Sequence, residues 1–460
     1  MQNPLKCATR KDYEPNYQPK KELTIISRLR EALHAPEVCA RFRTAPTNWT
    51  RQRTLTFART AILLLQGHKF PMQNALNKFF THLGSVEEVP TASAYCQARR
   101  KLAPELFQYL NSVVTSSYTA LSVADESLRL WRSRRVLAID GTYLNVPDTA
   151  ATRAAFSLQT NQHASGARVQ ALGSILYDVL NDFGVHAALS AKRGEREFIF
   201  DEHLAHTAAG DVIVMDRLYA DSVVMAFWVK HLRDFVVRFP RSSFVAVEEF
   251  WNSGEAERVV SIEVPPAKRK EARRLGVPTS FALRLVRVTL ESGETEVLGT
   301  SLFDTADERF TPAEFKVIYG MRWGIETYFD RLKNIFEVER FSGASVQSIC
   351  QDYYGVVFLA SLESVLSKSA ESELVEASEE KQTRHVAQVN HAVSYAALIE
   401  HVVALLVDEA ASVEQTLAAL THLFKTNPTR RREGRTYPRD NLHSHSRKAW
   451  FARYTKRIVA

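Results

Sequence analysis

Tyr319, Arg322, Glu326 and Lys333 stand in the run YGMRWGIETYFDRLKN with the spacing Y-x2-R-x3-E-x6-K. On one helix advancing about 100° per residue these four project within roughly 60° of one another, and Ile325, Phe329, Leu332 and Phe336 fall on an adjoining apolar stripe. A carboxylate flanked by a phenol, a guanidinium and an ammonium suits a divalent metal held beside phosphate groups. The chemistry this points to is on nucleic-acid strands. Taken alone, the stripe equally fits a solvated helix face on which Arg322 and Glu326, four apart, form an ion pair worth about 0.3–0.5 kcal/mol.

Two carboxylates upstream weigh against that plainer reading. Asp140 closes the apolar run VLAID and Asp216 closes VIVMD, so both are expected at the carboxyl ends of strands, where open α/β sheets gather functional groups. Two strand-end aspartates and a helical glutamate on one edge can bind two Mg²⁺ or Mn²⁺ ions through hard oxygen ligands. Ions about 3.5–4 Å apart would activate a water or a DNA 3′-hydroxyl for in-line attack on a phosphodiester and stabilise the leaving oxygen. Singly, each aspartate also reads as a local feature. Gly141 beside Asp140 suits a tight turn, and Arg217 beside Asp216 suits an ion pair.

The elements that would position these groups are legible in outline. The first fifty residues, interrupted by Pro4, Pro15, Pro19, Pro36 and Pro46, read as a partly ordered lead-in. TFARTAILLLQGHKF, MQNALNKFFTHL and TASAYCQARRKLAPELFQYLNSVV repeat apolar residues at helical steps, the last capped by Thr91 or Ser93 and carrying Arg99, Arg100 and Lys101. This arrangement fits a DNA-contacting helical module and, as well, a packing domain with a solvated basic patch. From Arg135 the texture becomes α/β: VLAID, TYLNVP, VQALGSILYDVL and FGVHAALSAK as strands, with a turn at Asn181-Asp182. EREFIFDEHLAHTA follows as helix, DVIVMD as strand and ADSVVMAFWVKHL as helix. DFVVRFP, SFVAVEEFW, RVVSIEV, ALRLVRVTL and TEVLGTSL read as a β-rich insertion, with the basic stretch AKRKEARR inside it. Beyond Lys333 the pattern is helical to Leu423, with ESELVEASEEKQ as a polar loop.

With 460 residues and 45% hydrophobic content the chain buries a large core, and the net charge of +7 favours a polyanionic partner. That charge is concentrated: from Lys425 to Ala460 there are eleven lysines and arginines against Glu433 and Asp440. The tail reads as a source of phosphate contacts, with Trp450, Phe451 and Tyr454 interleaved, or as a solubilising terminus. Cys7, Cys39, Cys96 and Cys350 form neither a CxxC pair nor a ligand cluster, so neither a zinc site nor a disulfide framework is indicated. No secretory signal or membrane-length apolar run is present, so a soluble cytoplasmic protein is expected.

The longer form YxxRWxIExxFxxLK, together with Asp140 in AIDGT and Asp216 in MDRLY, resembles the signature of insertion-sequence family 4 transposases, the bacterial DDE enzymes of cut-and-paste transposition. The ARxxI and SAYCQARRKL segments are similar to that family's amino-terminal region, so matching material spans roughly residues 57–341. Leu218 departs from the glycine frequent after Asp-Arg in the family. The resemblance implies an α/β fold with a ribonuclease-H-like core over 131–234 and 311–365 and a β-rich insertion over 235–310. A helical DNA-binding region over 1–130 would precede it, and a helical region with a basic tail over 366–460 would follow. It implies Asp140, Asp216 and Glu326 as catalytic residues and ligands of two Mg²⁺ or Mn²⁺ ions per site, and Tyr319, Arg322 and Lys333 as phosphate-binding residues. Trp251, expected in a β-hairpin, is the candidate for stacking a flipped base, alongside an ordinary packing role.

The function expected is that of a transposase acting on the terminal inverted repeats of its element. It would cut both strands and join the 3′-hydroxyls to target DNA, as a homodimer in a complex pairing the two ends, in the bacterial cytoplasm at the nucleoid. A non-catalytic DNA-binding protein or repressor derived from such an enzyme, and a hydrolase that cuts without strand transfer, are the competing readings.

Overall fold

A computed structural model describes residues 20–51, 53–66, 71–159, 168–190 and 194–430. The basic stretch from 431, including Trp450, Phe451 and Tyr454, lies outside the described residues, as does Cys7.

Among the described residues six helices come first: α1 (Lys20–His34), α2 (Pro36–Phe42), α3 (Phe57–Leu65), α4 (Met72–His82), α5 (Ala92–Arg99) and α6 (Glu105–Ala124). The expected lead-in is therefore helical from Lys20. Ile25, Ile26, Leu29 and Leu33 of α1 are buried, and Pro36 opens α2 rather than interrupting a helix, because a first-turn proline has no hydrogen bond to lose. Thr91 caps α5 as expected, its side chain accepting from the Ala94 amide at 3.2 Å. At the end of α5, Arg99 turns inward.

The centre is a nine-stranded sheet. Its strands are β1 (Val136–Asn145), β2 (Ser157–Gln159), β3 (Arg168–Asp178), β4 (Phe183–Ser190), β5 (Val212–Met215), β6 (Asp234–Phe239), β7 (Glu257–Glu263), β8 (Ser280–Thr289) and β9 (Thr295–Thr300). They lie in the order β2-β3-β1-β5-β6-β9-β8-β7, with β4 also on β3. β1, β5 and β6 pair in parallel and the remaining pairs are antiparallel. Val136–Ile139 of β1 and all of β5 are buried, as strands covered on both faces must be. The strands expected of an insertion extend this same sheet, through β9 on β6.

The helices among and after the strands are α7 (Ala150–Ala155), α8 (Ser222–Lys230), α9 (Val245–Ser253), α10 (Arg269–Leu275), α11 (Pro312–Gly320), α12 (Trp323–Asp330), α13 (Val346–Glu380), α14 (His391–Leu406) and α15 (Val413–Thr426). Three readings are corrected here. SFVAVEEFW is helix α9, burying Val247 and Phe250 one turn apart and ending at Gly254 with φ +73°. ESELVEASEEKQ continues α13 to Glu380, since it includes no helix breaker. EREFIFDEHLAHTA gives only a π-turn at Ile199–His203 and a 3₁₀ turn at Leu204–His206. Helix α13 packs on α6 and β4 and carries much of the core beneath the sheet. Among the described residues no helix is long and apolar enough to cross a membrane.

Candidate active site

β1 is ten residues long and β5 only four, and their pairing covers Val136–Ala138 against Val212–Val214. Above Ala138, β1 continues on β3 alone. The unequal lengths open a cleft between the two strands, and Asp140 and Asp216 stand at its sides. Asp140 thus lies within β1, paired with Ile175, rather than at a strand end, and VLAID and TYLN form one strand running through Gly141. Asp216 does follow the last residue of β5. Its carboxylate accepts the Leu218 amide at 2.7 Å, so it caps the 3₁₀ turn Arg217–Tyr219 while facing the cleft.

The Tyr, Arg, Glu and Lys of the sequence signature do not share one helix. α11 ends at Gly320, Met321 and Arg322 form a turn, α12 carries Glu326, and Lys333 lies in the π-turn Arg331–Ile335. Two glycines, Gly320 and Gly324, weaken helix continuity across that bend. The groups still converge by tertiary contact. Lys333 Nζ donates to Thr142 Oγ1 at 2.6 Å and to the Tyr143 carbonyl at 3.1 Å, fastening the helical segment to β1 just beyond Asp140. Burial pulls the Lys333 ammonium below the ordinary lysine range. Arg322, 7% exposed, donates to Glu326 at 2.7 Å, and its charge also bears on Asp140. The Tyr319 ring lies 5.8 Å from the Arg322 guanidinium. The Tyr319 hydroxyl and Arg322 Nε are buried with no hydrogen-bond partner.

A carboxylate that the sequence did not single out completes the cleft. Glu195 crosses Gly141 so closely that a Cβ there would sit 2.0 Å from Glu195 Oε1. The Gly141 amide donates to Asp140 Oδ1 at 2.9 Å and also favours the Glu195 carboxylate. Burial, then the charges of Glu195 and Asp216, push the Asp140 carboxyl up to about 7. Burial and the Asp216 charge raise Glu195 as well. Tyr219, 1% exposed, approaches Glu195 without the alignment of a full hydrogen bond. Among the described residues no three His, Cys, Asp or Glu side chains lie close enough together to chelate one ion as they stand.

Trp251 is on α9, not in a hairpin. It is half-buried against the core with Nε1 buried, and Arg287 donates to its carbonyl at 3.2 Å. Trp323, beside Arg322, keeps 52% of its surface exposed. Arg99 of the N-terminal module ties α5 to α13, donating to Gln351 Oε1 at 2.8 Å and to Asp352 Oδ1 at 2.9 Å. Arg100 stays exposed beside it.

Residues 131–360, half of the chain, match the family model described as the transposase DDE domain. Over 296 residues the chain is 24% identical to the transposase InsG for insertion sequence element IS4 of Escherichia coli (strain K12). That match covers 64% of this chain and 65% of InsG, so the chain spans just under two thirds of the relative's length. Among solved structures it is similar to the piggyBac transposase in its synaptic complex with hairpin DNA, at 11% identity and a TM-score of 0.41, covering 88% of this chain and 80% of that one. With the family model matching across both cleft strands and the whole Tyr-Arg-Glu-Lys segment, the chain belongs to the family of the transposase DDE domain.

Proposed function

We propose that this protein binds the terminal inverted repeats of an insertion sequence, cleaves both DNA strands by two-metal-ion phosphodiester hydrolysis and joins the 3′-hydroxyl ends to target DNA. The observation that carries this reading is the cleft between parallel strands β1 and β5. Asp140 and Asp216 flank it, and Lys333 fastens the Glu326-bearing segment beside it. The parallel centre of the sheet supports a ribonuclease-H-like core over 131–234 and 311–365, with 235–310 as the insertion, 1–130 as the DNA-binding region and 366–460 as the C-terminal region.

The donor set fits hard divalent cations. Asp140, Asp216 and Glu326 offer carboxylate oxygens, and the mutual repulsion that helps push Asp140 up to about 7 marks a cleft short of positive charge. Magnesium takes one or two carboxylates directly and keeps water for the rest, so a three-carboxylate chelate is not required. The ions would supply Lewis-acid stabilisation of the attacking and departing oxygens. The chain's own groups do the positioning. Arg322, held by Glu326 at 2.7 Å with its Nε unpartnered, is placed to take a phosphate oxygen, and in doing so would release Glu326 toward the aspartates. The Tyr319 hydroxyl and the Lys333 ammonium would hold further phosphates of the transposon end. Trp251 remains the candidate for base stacking, although its half-buried ring would have to be uncovered first.

Two ends processed together imply a homodimer, working in the bacterial cytoplasm. The test is cleavage of a labelled duplex bearing the element's end, with Mg²⁺ or Mn²⁺, by wild type, Asp140→Ala, Asp216→Ala and Glu326→Ala. Metal-dependent cutting, abolished by each substitution with end binding retained, is the expected result. End binding without cutting by wild type would instead establish the non-catalytic reading.

A further inference from the structure

We propose that the exposed face of α10 is a second DNA-docking surface, which takes phosphates of the duplex on the far side of the scissile bond from Tyr319, Arg322 and Lys333. This rests on the reading of the cleft given above. The stretch 268–274 sets Lys268, Arg269, Lys270, Arg273 and Arg274 against Glu271 alone. At about 100° per residue Arg269, Lys270, Arg273 and Arg274 fall within an arc of about 140°, with Ala272 and Leu275 on the other side. The structure keeps that division: these four cations are exposed, Ala272 is buried, and α10 packs on α8. Arg269 with Arg273, and Lys270 with Arg274, are like charges four apart, an arrangement that works against the helix. Among the described residues none of the four is in an ion pair. A merely solvated helix face intersperses both signs, whereas this one holds a positive field that a polyanion complements.

The patch is anchored beside the cleft. Lys268 Nζ and Arg196 Nη1 both donate to Asp221 Oδ2, and Arg196 Nε donates to the Leu218 carbonyl at 2.8 Å. Leu218 belongs to the turn that Asp216 caps, and exposed Arg217 adds its charge there. Lys230 Nζ, donating to the Leu275 carbonyl at 2.6 Å, holds the other end of α10 to α8. The sheet separates this patch from the expected phosphate-binding groups. Side chains alternate along β1, so Asp140 and Thr142 share one face and Gly141 looks to the other. Lys333 reaches Thr142. Glu195 lies over Gly141 and lines one cavity with Arg196, Lys268 and Glu271. Lys333 and α10 thus stand on opposite faces, with the cleft between them. DNA laying its scissile phosphate across the cleft extends past both. On the Lys333 side it is the transposon end; on the α10 side it is the flanking donor duplex before cutting and the target duplex at joining.

The experiment measures duplex binding to the full chain against NaCl, in EDTA so that nothing is cut. The probes are the element's end with its flanking duplex, the same end trimmed at its terminal base pair, and an unrelated duplex standing for target. Wild type is compared with Arg269→Gln/Lys270→Gln/Arg273→Gln/Arg274→Gln and with the charge-keeping Arg269→Lys/Arg273→Lys/Arg274→Lys, circular dichroism confirming that each is folded. The glutamine variant should lower the slope of log K against log salt by about 2 to 3 on the flanked end, two or three phosphate contacts at about 0.9 each, and leave the trimmed end unchanged. The lysine variant should restore the wild-type slope, since a phosphate contact needs the charge. A loss on the flanked end assigns the face to the donor flank and a loss on the unrelated duplex to target, and either supports the surface. Unaltered slopes on both would overturn it, and an equal loss on the trimmed end would overturn its placement beyond the scissile bond. A wild type that binds the element's end no better than the unrelated duplex would remove the end-binding reading instead, while the slopes on the unrelated duplex would still decide the role of α10.

Discussion

Asp140→Asn should stabilise the cation-free protein, and by an amount that depends on pH. The folded chain holds the Asp140 proton to about 7, against 3.8 for a solvated aspartate, because burial and the charges of Glu195 and Asp216 disfavour the anion. The folded state therefore binds more protons than the unfolded state between those values, and stability falls as pH rises from about 4 to about 7, then levels. A displacement of about three pH units corresponds to about 4 kcal/mol. Water reaching the half-buried cleft screens part of this, leaving about 2 kcal/mol. Asparagine keeps the acceptor for the Gly141 amide, now at 2.9 Å from Asp140 Oδ1, so the substitution removes charge without orphaning that donor. The assay is urea unfolding with EDTA at pH 4, 6 and 8, comparing midpoints of curves with equal slopes. The variant should match wild type near pH 4 and exceed it by about 2 kcal/mol at pH 8. Saturating Mg²⁺ should shrink or reverse the gap, because the cation binds the charged form. A difference that is constant across pH, or a wild type that is the more stable at pH 8 in EDTA, would refute the crowding of anions in the cleft.

Other substitutions separate structural from DNA-contacting cations. Arg99→Met should cost about 3–5 kcal/mol in urea unfolding by leaving Asp352, whose side chain is 10% exposed, with only the Ser342 amide and hydroxyl as donors, while leaving the salt dependence of DNA binding unchanged. Arg331→Met removes the partner that donates to Asp182 Oδ2 at 3.0 Å and contacts His391 Nε2 at 3.0 Å. Its cost should be about 2–3 kcal/mol, below that of Arg99→Met, because Asp182 keeps 39% of its side chain exposed; equal costs would argue against this ranking. Lys333→Ala should weaken binding of the element's end and lower the slope of log K against log salt by about 0.9, the amount expected for one phosphate contact. An unaltered slope would leave Lys333 with only its hold on Thr142 and the Tyr143 carbonyl.

Much of the sheet was legible because its strands are β-branched and short. VIVM and VLAI can hardly be anything else, and the turn at Asn181-Asp182 is marked by Asp182 at φ +57°. The misread segments share a cause, the use of polarity or β-branching in place of periodicity. Val245, Val247 and Phe250 read as strand residues by type, yet Val247 and Phe250 are buried at a helical step and Val245 is 74% exposed. The acidic stretch after Leu366 read as a loop because it is polar, though it holds neither glycine nor proline and packs Ala370 and Ser378 inward.

At the site, the residues visible in the sequence were those whose neighbours declare them: Asp140 and Asp216 through the strands they follow or occupy, Glu326 through its fixed spacing to Tyr319, Arg322 and Lys333. Glu195 has no such frame. It stands on a turn after residues 191–193, which lie outside the described residues, and its approach to Gly141 of β1 is a tertiary property that no window of sequence contains. The one local trace is Gly141. A glycine within a strand costs about 0.5–1 kcal/mol relative to alanine, and here it was taken for a turn residue, whereas β1 runs straight through it. Where a strand tolerates that cost next to an acid, the physical alternative to a turn is a side chain arriving from elsewhere that needs the space of a missing Cβ. The Glu195 carboxylate is the flexible end of its side chain, so Gly141→Ala should move it at little cost to folding. An unchanged urea midpoint in that variant is thus the signature of a glycine kept for an approaching side chain, and a lowered midpoint that of one kept for the backbone.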